Sequence, residues 1–457
     1  MSHRSIKLLI WLYLALLLVE GALRKWVLPS FSDPLLVVRD PVVLLIYALA
    51  LREGVFPINR FMLVIGALAA LSAAASVLGG HTHPLIIAYG LRINYLHLPL
   101  IWVMAEVLDR RDVERIGAGL LLAAIPMTLV MVKQFRSPMD AYINRGIGAD
   151  EVGQIFGADG RIRPPGLFAF ISGPQLFFPL CAAFFFDEVG GAKRLPWYLL
   201  LACGLAIAVA LPVSISRTVM LGTVVVAIAF VFTLPFSSAR FSALARPLLL
   251  LLVLAVGLSR LPVFREGTDV FMMRWDSAES EAGAAAWTGV MNRTVNGFTN
   301  PSYFLRVAPF LGHGIGSGSN VGARLTSGQV GFALAEEEWG KIILELGPVL
   351  GAAFILFRLF LVIWFGWLSW RSLRDDRNAL PLLLFSATAL TILQGQWAPP
   401  TVLGFSVIGA GLLLGSRKLA ATEPAADALA DTPAPAMRDA PFSDRRIHAA
   451  PRIPQTP

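Results

Sequence analysis

Apolar residues run along this chain in long, nearly unbroken stretches. The first begins after His3, Arg4 and Lys7 and ends at about Leu23. Others occupy about 35–51, 58–78, 85–107, 116–135, 167–186, 195–212, 218–235 and 247–262, and then about 338–369, 379–394 and 399–415. An α-helix needs roughly 17–25 such residues to cross the hydrocarbon of a bilayer. The pattern therefore predicts an all-α polytopic membrane protein with about twelve transmembrane helices. The first run lacks a small-x-small cleavage site and reads as an uncleaved helix. The second is interrupted by Arg39 and Asp40.

The polar intervals divide the chain. Residues 1–262 carry nine runs, 263–337 a large loop between helices 9 and 10, 338–415 the last three runs, and 416–457 a tail. A shorter polar interval spans about 136–166. Within the large loop, Pro301 to Leu311 is apolar enough to pack as a short helix on a membrane surface. The tail is rich in Ala, Pro, Asp and Arg, a composition that builds no core and predicts a disordered extension.

Composition agrees with the pattern. Of 457 residues, 56% are hydrophobic and 15% charged, against about 25% charged in soluble domains. Cys181 and Cys203 both fall inside apolar runs and read as packed small residues. There is no CxxC, HExxH or GxxxxGK[ST] motif, so the sequence predicts neither a metal site nor a nucleotide cofactor. The net charge of +8 is not gathered into a nucleic-acid patch, and its distribution speaks to topology instead. With the N-terminus in the cytoplasm, sixteen Lys and Arg fall in the short segments on that side, and only Arg24, Lys25 and Arg217 on the other. The positive-inside rule then puts both termini in the cytoplasm and the long loops outside.

Chemistry is sought at the outer ends of the runs. Gly312 to Gly351, GHGIGSGSNVGARLTSGQVGFALAEEEWGKIILELGPVLG, is a glycine-rich loop leading through Glu336, Glu337 and Glu338 into an apolar helix. Glu337, Lys341 and Glu345 stand four apart, the spacing of an ion ladder, which leaves Glu336 and Glu338 unpaired. A carboxylate crowded by like charges can take up a proton near neutral pH. His313 reads as either a base or a loop histidine bonded to backbone. Arg217, in PVSISRTVMLG, is either a snorkelling interfacial arginine or a phosphate ligand set among hydroxyls. Arg161 and Arg163, in GRIRPPGLFAF, and Arg293 and Arg306, in the large loop, are either solvated or part of an anion-binding surface. Arg39, Asp40, Arg92, Asn94 and Arg358 lie within runs and must face the bundle interior or snorkel. Arg92 is either structural or a lipid-phosphate contact.

Taken in order, these segments resemble the O-antigen ligase and O-antigen polymerase superfamily of bacterial envelope glycosyltransferases, over about residues 30–415. GRIRPPGLF resembles the family's R-x-x-G-x-F segment, and SISRTVMLG its S-x-S-R-x-x-x-L. PFLGHGIG, preceded by Arg293, resembles P-L-x-G-x-G-x-G. EEEWGKIILELGPVLG resembles H-N-x-x-L-x-x-L-x-E-x-G-x-x-G, with Glu336 standing where the family has histidine. The resemblance implies a metal-independent, cofactor-free transferase acting on a polyprenyl-diphosphate-linked glycan donor at the periplasmic face of the bacterial inner membrane. It implies a glycan or lipid-linked acceptor, contact with membrane lipids, and partnership with other polysaccharide-export proteins. Glu336 and Glu337 are the expected catalytic carboxylates, and Arg217, Arg293 and Arg163 the expected diphosphate ligands. The missing histidine favours polymerase over ligase. The alternatives are a transporter of envelope polysaccharide precursors and a non-catalytic assembly subunit. A transporter should show broken helices and charges at mid-membrane, whereas a transferase should gather its polar groups at the outer rim.

Overall fold

A computed structural model of the protein describes residues 3–80, 83–147, 154–192, 194–236, 257–258, 260–282, 298, 301–328, 334–335 and 337–418. Among these residues all extended regular structure is helical. The sole β feature is an isolated bridge between Phe156 and Ile162. The helices are α1 (Arg4–Ala22), α2 (Asp40–Arg52), α3 (Arg60–Leu78), α4 (Pro84–Leu91), α5 (Leu100–Val107), α6 (Arg110–Arg136), α7 (Ser172–Asp187), α8 (Trp197–Val213) and α9 (Arg217–Thr233). Then come α10 (Pro262–Ala282), α11 (Pro301–Val307), α12 (Asn320–Ser327), α13 (Glu338–Asp376), α14 (Leu380–Gln394) and α15 (Pro400–Gly415).

Seven helical runs are long and apolar enough to cross a membrane: Arg4–Val27, Pro34–Arg52, Arg60–Leu78, Pro84–Val107, Arg110–Arg136, Arg217–Phe236 and Glu338–Asp376. The apolar helices α8, α14 and α15 are shorter. Large apolar side chains point outward along these runs, including Leu63, Leu71 and Val77 on α3, Ile228 and Val231 on α9, and Leu356, Phe360 and Ile363 on α13. Water would not tolerate so much contiguous apolar surface, so this is the build of a membrane protein. The ninth run expected at 247–262 lies largely outside the described residues, as does nearly all of the tail from 416.

Helix ends are set by local chemistry. Asn59 accepts from the Phe61 and Met62 amides, and Asp109 with Asp112 forms a capping box at the start of α6. Each satisfies amide groups that lack a partner inside the helix. At the centre, α7 packs against α6, α8, α9, α14 and α15 and buries Phe177, Phe178 and Phe184. The bundle's two ends differ. One is closed by ion pairs: His3 with Glu53 at 2.6 Å, Lys7 with Asp112 at 2.5 Å, Lys418 with Glu106 at 3.3 Å, and Arg194 with Glu114, Asp187 and Glu188. The other carries the long interhelical segments, tied together where Arg161 reaches Glu266 on α10 at 2.6 Å.

Helix α13 is not continuous. Gly347 sits at φ 79°, ψ 170°, and Pro348 follows it. That backbone conformation is essentially restricted to glycine, and the proline has no amide to continue the ladder. The interruption frees the carbonyls of Leu344 and Glu345. The glycine-rich loop fills the gap: the His313 amide donates to Leu344 at 2.8 Å and the Gly314 amide to Glu345 at 3.0 Å. The approach is so close that a Cβ on Gly347 would lie 2.2 Å from the Phe310 carbonyl oxygen.

Replacing Gly347 with alanine should therefore combine strain with a backbone clash and lower stability by about 2 kcal/mol or more. Gly54 also has positive φ, but nothing lies within 4 Å of where its Cβ would be. Gly54→Ala should carry the strain alone, near the lower end of the same roughly 1–3 kcal/mol range. Thermal unfolding of the detergent-solubilised protein distinguishes the two, and equal losses would contradict the packing described.

Candidate functional site

The glycine-rich loop lies between α4 and the first half of α13. The Ile315 amide donates to the Ser76 hydroxyl on α3 at 2.9 Å. A Cβ on Gly316 would lie 2.5 Å from the Ile86 carbonyl oxygen, and one on Gly90 would lie 2.6 Å from the Gly316 nitrogen. The loop's glycines are there because backbone meets backbone. Glu345 is buried beneath them and accepts from the Gly318 amide at 2.8 Å.

The carboxylates at the start of α13 are arranged differently from the ladder expected. Lys341 pairs with Glu338 at 2.7 Å, three residues back, rather than with Glu337. Glu338, expected to be unpaired, is buried between Lys341 and Arg358, whose Nη1 lies 3.1 Å away. Arg358 is fully buried and stacks 4.0 Å from the centre of Trp397. It also donates to the carbonyls of Ile392 at 2.8 Å and Gly395 at 2.7 Å, which closes the C-terminal end of α14. Trp339 adds a bond to the Leu393 carbonyl at 2.9 Å. Glu338, Lys341 and Arg358 therefore weld α13 to α14. Glu337 is half-buried at the position preceding α13, with its carbonyl receiving the Lys341 amide at 3.0 Å. Glu336 lies outside the described residues, and so does Arg293.

Arg217 is the first residue of α9, half-buried, after a tight turn from α8. Ile215 in that turn has φ 48°, a strained value for a β-branched side chain. Hydroxyls hold the turn: Ser214 donates to the Leu211 carbonyl at 2.7 Å, and Gln175 on α7 donates to Ser216 Oγ at 3.2 Å. Arg163 lies on a hairpin-like segment that turns at Asp159 and Gly160, both at positive φ; Asp-Gly suits such a turn. Its amide donates to the Ile155 carbonyl at 2.9 Å. The segment packs on the Arg217 turn, since a Cβ on Gly157 would lie 3.0 Å from the Ile215 side chain. Arg161 serves the fold. It donates to the Phe135 carbonyl at the end of α6 at 2.8 Å and binds Glu266. An open cavity of about 470 Å³ lies beside this hairpin, lined by Phe156, Asp159, Met273, Arg274 and Asp276. The structure thus brings the Arg163 hairpin and the Arg217 turn together. Arg306 is exposed on α11.

A third group joins α1, α2 and α4. Arg24 and Lys25, which read as external loop residues, are buried on a π turn, Leu23–Val27, that extends α1. Lys25 donates to the Gly166 carbonyl at 3.0 Å. Arg24 approaches Glu20 at 3.4 Å, and Glu20 meets Arg39 at 3.3 Å. Arg39 donates to the Tyr13 hydroxyl at 3.1 Å and to the Pro400 carbonyl at 2.5 Å. Tyr13 bonds His97 Nδ1 at 3.0 Å, and His97 Nε2 bonds Asp40 at 3.1 Å. Asp40 holds Arg92, which opens a second π turn, Arg92–Leu96. Such turns recur at functional sites. Sequence reading missed Tyr13, Glu20 and His97 in this network, although ionisable residues inside apolar runs were the available signal.

Among the described residues, no three His, Cys, Asp or Glu side chains are grouped so as to hold a metal ion. No protein-family model matches the chain, and no curated protein matches it.

Glu338→Gln should leave Lys341 and Arg358 without their shared counter-charge and cost about 3 kcal/mol or more. Glu337→Gln, at a half-buried site, should cost less than about 1 kcal/mol. Thermal melts of both variants test the pairing, and the reverse order would refute it.

Proposed function

We propose that this chain is an inner-membrane glycosyltransferase that polymerises polyprenyl-diphosphate-linked polysaccharide units at the periplasmic face. In this reading twelve helices cross the membrane with both termini in the cytoplasm. The end closed by ion pairs is cytoplasmic, and the end bearing the long segments is periplasmic. The observation that carries the reading is the strained Ser214–Ile215–Ser216 turn, which sets Arg217 at the head of α9 beside the Arg163 hairpin. Backbone strain of this kind costs about 1–3 kcal/mol and is characteristically kept where a side chain must be aimed. A guanidinium so placed suits a diphosphate leaving group.

The reaction follows from those roles. The acceptor hydroxyl oxygen attacks the anomeric carbon of the donor sugar. The bond from that carbon to the diphosphate oxygen breaks, and the lipid diphosphate leaves with the electron pair. Arg217, with Arg163 and Arg293, neutralises the charge that develops. Glu336 or Glu337 takes the hydroxyl proton. Exposed Phe156 and the polar side chains of the adjoining cavity offer a ring face and hydrogen-bonding groups for sugar.

One observation favours the transporter alternative: α13 is broken at Gly347, and charged groups lie inside the bundle. Transporter helices break so that freed backbone can meet the substrate. Here the freed carbonyls of Leu344 and Glu345 are already taken by the His313 and Gly314 amides. Arg358 and Glu338 are likewise consumed by each other and by the end of α14. The break is packing, and the transferase reading stays ahead.

Arg217→Ala should lower the rate of chain extension from purified lipid-linked repeat units about 100-fold or more, with normal amounts of folded protein in the membrane. Glu336→Gln should do the same if it stands in for the family histidine. Accumulated single units on the lipid would support polymerisation. Long chains still made but never transferred would indicate ligation. Unchanged extension in both variants would sink the proposal.

A further inference from the structure

The network joining α1, α2 and α4 has an unbalanced charge. It holds three guanidinium groups, Arg24, Arg39 and Arg92, against two carboxylates, Glu20 and Asp40. His97 adds no charge when its two contacts are read together. Nε2–H donates to Asp40, and bare Nδ1 accepts from the Tyr13 hydroxyl, whose oxygen in turn accepts from Arg39. One positive charge is left over among these groups, in an apolar bundle where an uncompensated ion is costly.

Two guanidinium nitrogens of the network lack a hydrogen-bond partner: Arg39 Nε still faces Glu20 at 3.3 Å, whereas Arg92 Nη1 faces no acceptor. Arg92 commits Nε to Asp40 and Nη2 to Asp40 and the Leu36 carbonyl, while Nη1 is buried with no acceptor. The same guanidinium lies 5.4 Å from the ring centre of Tyr89, one turn earlier on α4. Arg92 and Tyr89 thus meet at one place at the end of α4. That place is not sealed: the Arg92 side chain keeps 11% of its surface, and Tyr89 is only half-buried. The carboxylates nearby have other partners. Asp33, whose charge also reaches Arg24, is exposed and pairs with Arg324 at 3.4 Å, Glu338 pairs with Lys341 and Arg358, and Glu345 accepts from the Gly318 amide.

We infer that Arg92 Nη1 and the Tyr89 hydroxyl form a binding site for the phosphate of a membrane lipid. A phosphate supplies the missing negative charge and an acceptor for Nη1, and guanidinium is the side chain best shaped to hold it. This inference rests on the chain being embedded in a membrane and not on the transferase reading. The phosphate could belong to an anionic phospholipid or to a polyprenyl diphosphate, since both present the same oxyanion at the end of an apolar tail.

The test is native mass spectrometry of the full-length protein in mild detergent, titrated separately with phosphatidylglycerol, a polyprenyl diphosphate and phosphatidylcholine. At least one of the two anionic lipids should bind tightly, and phosphatidylcholine should bind at least 10-fold more weakly. Arg92→Lys, which keeps the charge but loses the Nη1 arm, should weaken binding at least 10-fold. Tyr89→Phe leaves every ion pair intact and should weaken it several-fold. Arg306→Ala, on an exposed α11 position, should change nothing. Binding of both anionic lipids marks a general lipid-phosphate site; binding of the diphosphate alone marks a donor site. Affinity unchanged in Tyr89→Phe, or equal for phosphatidylcholine, overturns the inference even if Arg92→Lys fails to fold. Lipid binding retained in Arg217→Ala with chain extension lost would keep this site separate from the transferase chemistry.

Discussion

Inside an apolar bundle every backbone amide and carbonyl must find a partner within the protein, because the hydrocarbon offers none. That constraint governs the break in α13. Gly347 and Pro348 interrupt the helix, and two carbonyls lose their own amides. The chain answers with a loop able to approach backbone to backbone. Gly312, Gly314 and Gly316 all take positive φ, and the amides of His313 and Gly314 replace the missing donors. Once the loop is drawn in, it dictates what surrounds it. Gly90 on α4 must be small, Ser76 on α3 must accept from Ile315, and Glu345 must lie beneath Gly318. A local defect in one helix thus fixes the seating of two others.

The buried charges obey the same rule at higher stakes. Arg358 stands in for amides that α14 lacks beyond its last turn, and Glu338 compensates Arg358 and Lys341 together. Little of that set remains for substrate. The α1–α2–α4 network differs. Its ion pairs and hydrogen bonds link Arg24 to Arg92, yet its charges do not sum to zero and Arg92 Nη1 has neither kind of partner. A closed network is architecture, whereas an open one is where a ligand adds most. The distinction cannot be drawn from which residues are charged, only from which atoms are already used.

Much of the fold was legible because membrane helices announce themselves by uninterrupted apolarity. The runs at 58–78, 85–107, 379–394 and 399–415 fall within two residues of the observed helical runs Arg60–Leu78, Pro84–Val107, Leu380–Gln394 and Pro400–Gly415. The site was less legible, for a physical reason. Spacing along one helix suggested that Lys341 serves Glu337 and Glu345, but Arg358, twenty residues on and past a break, pulls Glu338 into the pair instead. His97 finds Asp40 and Tyr13 across gaps of fifty-seven and eighty-four residues. No periodicity encodes such contacts. The burial of Arg24 and Lys25 was not legible, because a π turn carries α1 past the point where its apolar run ends.

The two polar centres also bear on how one protein could manage a lipid-linked substrate. The Arg217 turn is held by hydroxyls and by strain at Ile215. It sits against a hairpin whose sibling arginine, Arg161, is spent on α6 and α10. Rigid support of that kind suits a group that must meet a reacting bond at a set distance. The Arg92 cluster is instead supported within the bundle, between helices with apolar outer faces. Placement there suits a group that receives a head while its tail remains among acyl chains. Under the two proposals, the division of labour would follow from the solvent each centre faces: a reacting sugar needs water and room, and a lipid anchor needs neither.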